Sequence, residues 1–256
     1  MLLAIDVGNT NVTLALYEGE QLAASWRLAT HPERTADEIG LELLQLLRLR
    51  GLEPSRVEGV VIGSVVPALT PAVAGACRTY LEREPLVVGP GTKTGVQITY
   101  DNPKDVGADR IANALAVIRR FGGPAIVIDF GTAVTYDAID AEGRYRGGAI
   151  APGIQVSLDA LVSHAARLPR VEAVAPSEVI GRSTVTAIQS GLIWGVVSQV
   201  EGMVKRFSAE LGGTPRVIAT GGHATLVASL TTVIEQVEPL LTPLGLRLIY
   251  EQNLPR

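Results

Sequence analysis

Apolar residues follow two rhythms in this chain. Short continuous runs at residues 2–6, 57–64, 125–129 and 216–220 are bounded by Gly, Asp, Ser or Thr and read as buried strands. Further β-rich segments at 12–17, 22–28, 133–139 and 145–151, and a short one at 86–88, complete the strand set. A helical period appears after Thr35-Ala-Asp-Glu38, a capping box, where Ile39, Leu43, Leu44, Leu46 and Leu47 form one stripe that Gly51 terminates. Further helices are predicted from Pro71 to about residue 83, over 111–118, from Gly153 to about Ala166, over 183–211 and over 243–252. Neither low-complexity tracts nor Ser-rich linkers interrupt the pattern.

One phrase occurs twice: Asp6-Val-Gly-Asn-Thr10 and Asp129-Phe-Gly-Thr132, with both the Asp and the Gly offset by 123 positions. Each copy follows an apolar run and precedes a β-rich segment that ends in a turn, Glu18-Gly-Glu20 or Ala141-Glu-Gly143. Strand, glycine turn, strand is thus performed once per half. Two such hairpins facing each other would form a cleft suited to a polyphosphate and its metal ion. Gly8 and Gly131 allow tight turns and leave no side chain between peptide N–H groups and phosphate oxygens. Thr10, Asn11 and Thr132 add donors, and Asp6 and Asp129 at strand ends can hold a hydrated cation. The competing reading of either copy alone is an ordinary hairpin turn.

Three antiparallel strands, then helix and parallel strand, all done twice, predict an α/β protein. The expected architecture is two ribonuclease-H-like (actin-like ATPase) domains related by internal duplication, each a mixed five-stranded sheet flanked by helices. The expected domains are residues 1–120 and 121–256, with the last helix packing back on the sheet. A net charge of −4 argues against non-specific nucleic-acid binding. No apolar run reaches the roughly 18–20 residues of a membrane span, and the start lacks a basic leader. A single cysteine, Cys77, excludes an internal disulfide framework, and His31, His164 and His223 are scattered rather than clustered for metal. A cytoplasmic protein is expected.

Between the halves stands Pro103-Lys-Asp-Val-Gly-Ala-Asp-Arg110, opening an apolar helix. Asp109 and Arg110 then sit at the positive end of that helix, where a carboxylate can accept a proton from an alcohol and an arginine can clamp an anion. A solvent-exposed capping pair is the alternative. Gly89-Pro-Gly-Thr-Lys-Thr-Gly95 lacks the spacing of a P-loop and reads as a plain loop. Thr220-Gly-Gly-His223 joins a strand to a helix and suits either a nucleoside ring or close packing. Gly147-Gly-Ala-Ile-Ala-Pro-Gly153 and Ile180-Gly-Arg-Ser-Thr184 are further glycine turns, and capping is the default role for Thr184.

Taken in order, Asp6-Val-Gly-Asn-Thr10, Asn102-Pro-x-x-x-Gly-Ala-Asp-Arg110, Asp129-Phe-Gly-Thr-Ala133, Gly147-Gly-x-Ile-x-Pro-Gly153, Ala187-Ile-Gln-Ser-Gly191 and Thr220-Gly-Gly222 resemble type III pantothenate kinases. The resemblance spans nearly the whole chain, and its specific part is Gly-Ala-Asp-Arg. It implies phosphorylation of the primary hydroxyl of pantothenate by ATP, the first step of coenzyme A synthesis, by a homodimer needing Mg²⁺ and K⁺ or NH₄⁺. Carried over, Asp6, Val7, Gly8, Asn9, Thr10, Asn11, Val12 and Thr13 would hold ATP phosphates, and Thr132 would contact ATP. Asp129 would bind the monovalent cation, and Asp6 Mg²⁺. Asp109 would be the proton acceptor. Tyr100, Gly107, Ala108, Asp109, Arg110 and Thr184 would contact pantothenate, Thr184 across the dimer interface. His223 and Arg182-Ser183 depart from the usual pattern, which bears on nucleotide preference rather than on the reaction. The alternatives are a non-catalytic regulatory or accessory relative, or another small-molecule kinase or phosphatase of the superfamily.

Overall fold

The computed structural model describes residues 1–165 and 167–254; the predicted helix end at Ala166 lies outside the described residues. In chain order the main elements are β1 (Leu2–Val7), β2 (Asn11–Glu18), β3 (Gln21–Ala29), α1 (Ala36–Leu49), β4 (Gly59–Ser64), α2 (Thr70–Tyr80), β5 (Leu86–Val87), β6 (Gln97–Ile98) and α3 (Ala108–Phe121). The remainder comprises β7 (Ala125–Phe130), β8 (Ala133–Ile139), β9 (Arg144–Pro152), α4 (Ile154–His164), α5 (Thr184–Leu211), β10 (Arg216–Gly221), α6 (Ala224–Ala228), β11 (Gln236–Val237) and α7 (Leu241–Asn253).

Two compact units result. The first takes residues 1–96, 101–116 and those from 240 onward; the second takes 97–100 and 117–239. This grouping differs from a division at residue 120, chiefly because α7 belongs with the first sheet. The physical reason lies on β4. A Cβ at Gly59 would lie 2.1 Å from the Tyr250 hydroxyl, and one at Gly63 would lie 2.7 Å from Leu246 Cδ2. Two glycines four apart in a strand fall on the same sheet face and clear it, and α7 fills the space.

In the first unit the sheet runs β3-β2-β1-β4-β5, with β1 antiparallel to β2 and parallel to β4. Leu3, Ile5 and Val7 alternate onto the face covered by α1 and α2, where Leu43, Leu47, Val73 and Cys77 join one core. The α1 capping box is present in full: Thr35 Oγ1 accepts from the Glu38 amide at 3.3 Å, and Glu38 Oε2 accepts from the Thr35 amide at 2.8 Å.

The second unit repeats the order as β11-β10-β7-β8-β9 and adds β6 beside β9, so its sheet has six strands rather than the expected five. Ile126, Ile128 and Phe130 of β7 face α4 and α5, packing with Leu158, Ile193, Val197 and Val200. This repeated topology is that of the ribonuclease-H-like (actin-like ATPase) fold, as the sequence layout predicts.

Candidate active site

The duplicated hairpins form as predicted, with matched registers. Asp6 sits opposite Thr13 on β2 and beside Gly63 on β4; Asp129 sits opposite Thr135 on β8 and beside Thr220 on β10. Residues 8–10 make the first turn and 131–132 the second. The Gly8 amide donates to the Asn11 carbonyl at 3.0 Å, and the Gly131 amide donates to the Ala133 carbonyl at 3.0 Å. Both glycine N–H groups therefore close their own turns. The first turn is also braced from β3's end, since Thr30 Oγ1 donates to the Gly8 carbonyl at 2.7 Å.

Strand period fixes where Asp6 points. Leu3, Ile5 and Val7 face α1 and α2, so Asp6 lies on the opposite face, the one its neighbour Gly63 shares with Leu246 of α7. The Asp109 turn reaches the same end of the sheet. Val65, just past β4, donates its amide to the Val7 carbonyl at 3.0 Å, and a Cβ at Gly107 would lie 3.6 Å from Val65 Cγ1. Gly107, Ala108, Asp109 and Arg110 thus stand against the carboxyl ends of β1 and β4, the usual location of ligand sites in α/β sheets.

Helix α3 begins at Ala108, one turn earlier than the apolar pattern suggests, which puts Asp109 inside the first turn. Asp109 is half-buried, and Arg110 is 8% exposed, so the pair is not the solvent-exposed cap that was the alternative. Desolvation by burial pushes the Asp109 carboxyl up from its usual range, opposed by the Arg110 amide, which donates to Oδ1 at 2.8 Å, and by the Arg110 guanidinium. A carboxylate made more basic by burial, yet oriented by a helix N-terminus, is suited to accepting a proton. Gly107 makes this rotamer possible, because a Cβ there would lie 2.4 Å from Asp109 Oδ1.

In the second unit the surroundings of Asp129 include Gly221, from a motif the sequence singles out without linking it to this carboxylate. Gly221 ends β10 at φ +92°, and a Cβ on it would lie 2.5 Å from Asp129 Oδ1. Gly221 of the Thr220-Gly-Gly222 motif therefore walls the Asp129 carboxylate, besides belonging to a strand-to-helix turn. Register could have found it, since β10 lies against β7 as β4 lies against β1. Thr132 is held by its own carbonyl, which accepts from the Gly153 amide at 3.0 Å, tying the second turn to the Gly147–Gly153 stretch.

Tyr100 is 36% exposed and follows β6; its ring stands 6.4 Å from that of Tyr145. Gly147 at φ +115° makes room for it, as a Cβ there would lie 3.2 Å from the ring. The Tyr145 hydroxyl donates to Asp137 at 2.7 Å, and both residues are fully buried. Thr184 is the first residue of α5 and is exposed; the cap is Ser183, whose hydroxyl accepts from the Thr186 amide. Beside it opens a groove lined by Leu161, Leu168, Ile188, Leu192 and Ser183.

Among the described residues no group of three or more His, Cys, Asp or Glu could hold a metal ion. Asp6 and Asp129 are instead single carboxylates at strand ends. That donor set fits hard cations that keep most of their coordination as water or phosphate oxygen.

Residues 2–206 match the sequence profile of a family described as type III pantothenate kinase. The type III pantothenate kinase of Moorella thermoacetica is 51% identical over 253 residues, covering 99% of this chain and 100% of that protein. Among solved structures, a Baf family protein from Campylobacter jejuni superposes with a TM-score of 0.63 at 19% identity, covering 98% of each chain. The ethanolamine utilization protein EutJ from Carboxydothermus hydrogenoformans gives 0.57 at 18%, covering 96% of this chain and 89% of its own. The two structures share the fold with this chain.

Proposed function

The chain belongs to the type III pantothenate kinase family, enzymes that phosphorylate pantothenate in coenzyme A synthesis, and we propose how its residues divide that work. Asp6, Val7, Gly8, Asn9, Thr10, Asn11, Val12 and Thr13 bind the ATP phosphates, and Thr132 makes a further ATP contact. Tyr100, Gly107, Ala108, Arg110 and Thr184 bind pantothenate. Arg110 pairs with its carboxylate, where a planar guanidinium offers two parallel bonds. Asp109 takes the proton of the primary hydroxyl as that oxygen attacks the γ-phosphoryl group, and ADP leaves with the bridging oxygen and its electron pair.

Asp6 would hold Mg²⁺ and Asp129 a monovalent cation, K⁺ or NH₄⁺; such ions, when bound, would offset charge on the phosphoryl oxygens. The chain's own contribution is positional: rigid hairpins fix the turns, and the first turn of α3 fixes the base. The observation that carries the reading is the placement of Asp109, half-buried at the same carboxyl end of β1 and β4 where Asp6 stands. Val179, Ile180 and Val185, close to Thr184 in sequence, are exposed apolar side chains that a homodimer contact near Thr184 would cover. No helix among the described residues is long and apolar enough to cross a membrane, which is compatible with the proposed cytoplasmic location.

A coupled assay with ATP, Mg²⁺ and either K⁺ or Na⁺ tests the assignment. ADP release should depend on pantothenate and be faster with K⁺. ATP hydrolysis indifferent to pantothenate would defeat it, and light scattering showing a monomer at assay concentration would remove the dimer.

A further inference from the structure

We propose that Thr242 on α7 is a positioning residue for the reaction, holding the Asp109 carboxylate in register with the Asp6 turn through Asn113. The inference rests on Asp109 being the base. Asn113 follows Asp109 by four residues on α3, so the two share a helix face one turn apart. Asn113 is 1% exposed and Thr242 6%, and the Thr242 hydroxyl donates to Asn113 Oδ1 at 2.8 Å across 129 positions of sequence.

One turn further along α7, Gly245 lies against α3's backbone. A Cβ there would stand 1.9 Å from the Ala112 carbonyl oxygen, so the helices touch with nothing between them. Apolar contact alone is non-directional and would let α3 rotate or slide on α7. A buried hydrogen bond is directional and costly to leave unmade, so it selects one rotation and one depth. The same helix reaches the phosphate turn: Leu246, adjacent to Gly245, packs on Gly63, the register neighbour of Asp6. Thus α7 touches the strand pair that carries Asp6 and the helix that carries Asp109. A segment from the far end of the chain sets the spacing between phosphate turn and base.

The test uses full-length protein and compares Thr242→Val, of nearly the same shape, with Thr242→Ser, which keeps the hydroxyl, and Asp109→Asn in parallel. Thr242→Val should lower kcat by roughly 10-fold to 100-fold, the scale of a small misplacement of a reacting group, with KM for ATP unchanged. The acid limb of its pH–kcat profile should move, amide exchange in residues 110–116 should quicken, and Thr242→Ser should restore kcat. Where Thr242→Val does not fold, Thr242→Ala is read in the same way. A Thr242→Val enzyme that melts earlier but keeps wild-type kcat and pH profile has lost only a structural bond, and overturns the proposal. A dead Asp109→Asn beside that result leaves the base assignment standing. A fully active Asp109→Asn removes the base and the positioning role together.

Discussion

Replacing Gly107 by alanine is the sharpest perturbation the site offers, because its effect on geometry and its effect on folding separate. The new Cβ would lie 2.4 Å from Asp109 Oδ1, roughly 1 Å inside ordinary van der Waals contact. Gly107 is not among the positive-φ glycines, so its backbone accepts alanine without strain. Stiffening the unfolded chain even favours the folded state by about 0.4–1 kcal/mol, which offsets part of the crowding. The carboxylate has to yield, and its way out turns it from the Arg110 amide it accepts at 2.8 Å. A displacement near 1 Å at a reacting group costs about 100-fold in rate, or roughly 2.7 kcal/mol of transition-state stabilisation. The assay is steady-state ADP release with pantothenate and ATP varied in turn, beside a thermal melt. The expected result is a large fall in kcat with KM for ATP and the melting midpoint nearly unchanged. Wild-type kcat in a folded Gly107→Ala protein would refute the claim that the observed carboxylate rotamer is the working one.

Asp109→Asn should lower kcat by roughly 10²–10⁴, the range of a positioned general base, measured by the same release assay. Because burial raises the Asp109 pKa and the base acts ionised, kcat should fall as pH drops through that raised value, with an acid limb above the usual aspartate range. The stability sign is opposite. The folded carboxyl holds its proton more tightly than the unfolded one, so its burial penalty is absent below the unfolded pKa and is complete once pH exceeds the folded pKa. Asp109→Asn should therefore melt higher than wild type at neutral pH and gain nothing in strong acid, as differential scanning calorimetry can show. Asp129→Asn should raise the K⁺ concentration for half-maximal rate without changing KM for pantothenate, read from a K⁺ titration. Ser183→Ala removes the hydroxyl that caps the 28-residue α5 and should cost about 1 kcal/mol, a fall of roughly 2–4 °C in midpoint.

Most of the sheet framework was legible because its strands are long enough to carry a period, and because the two halves repeat the same order. The two-residue strands β6 and β11 were not: β5, equally short, shows as the apolar run Leu86-Val-Val88, whereas Gln97-Ile98 and Gln236-Val237 each carry a single apolar residue and are defined only by their hydrogen bonds. The final helix shows an apolar face in sequence, yet nothing in that face says which sheet it covers. Its complement, Gly59 and Gly63, was visible only as two glycines in a strand. Arg110 reads as a surface residue from its type alone; its burial follows from α3 starting at Ala108 and packing on α7.

The duplication predicted where the two aspartates stand but hid a difference between them. In the first unit the glycine beside Asp6, Gly63, makes space for Leu246 of a helix, so the strand neighbour serves packing. In the second unit the position beside Asp129 is Thr220, and the following Gly221 makes space for the Asp129 carboxylate itself. One glycine accommodates a helix and the other a charge. A repeated motif fixes the backbone path through both turns, whereas the chemistry of each carboxylate is set by what the adjacent parallel strand leaves open. That strand arrives 57 positions after Asp6 and 91 after Asp129, as Gly63 and Thr220, beyond the reach of any local motif. Equal roles for Asp6 and Asp129 should not be inferred from equal spelling.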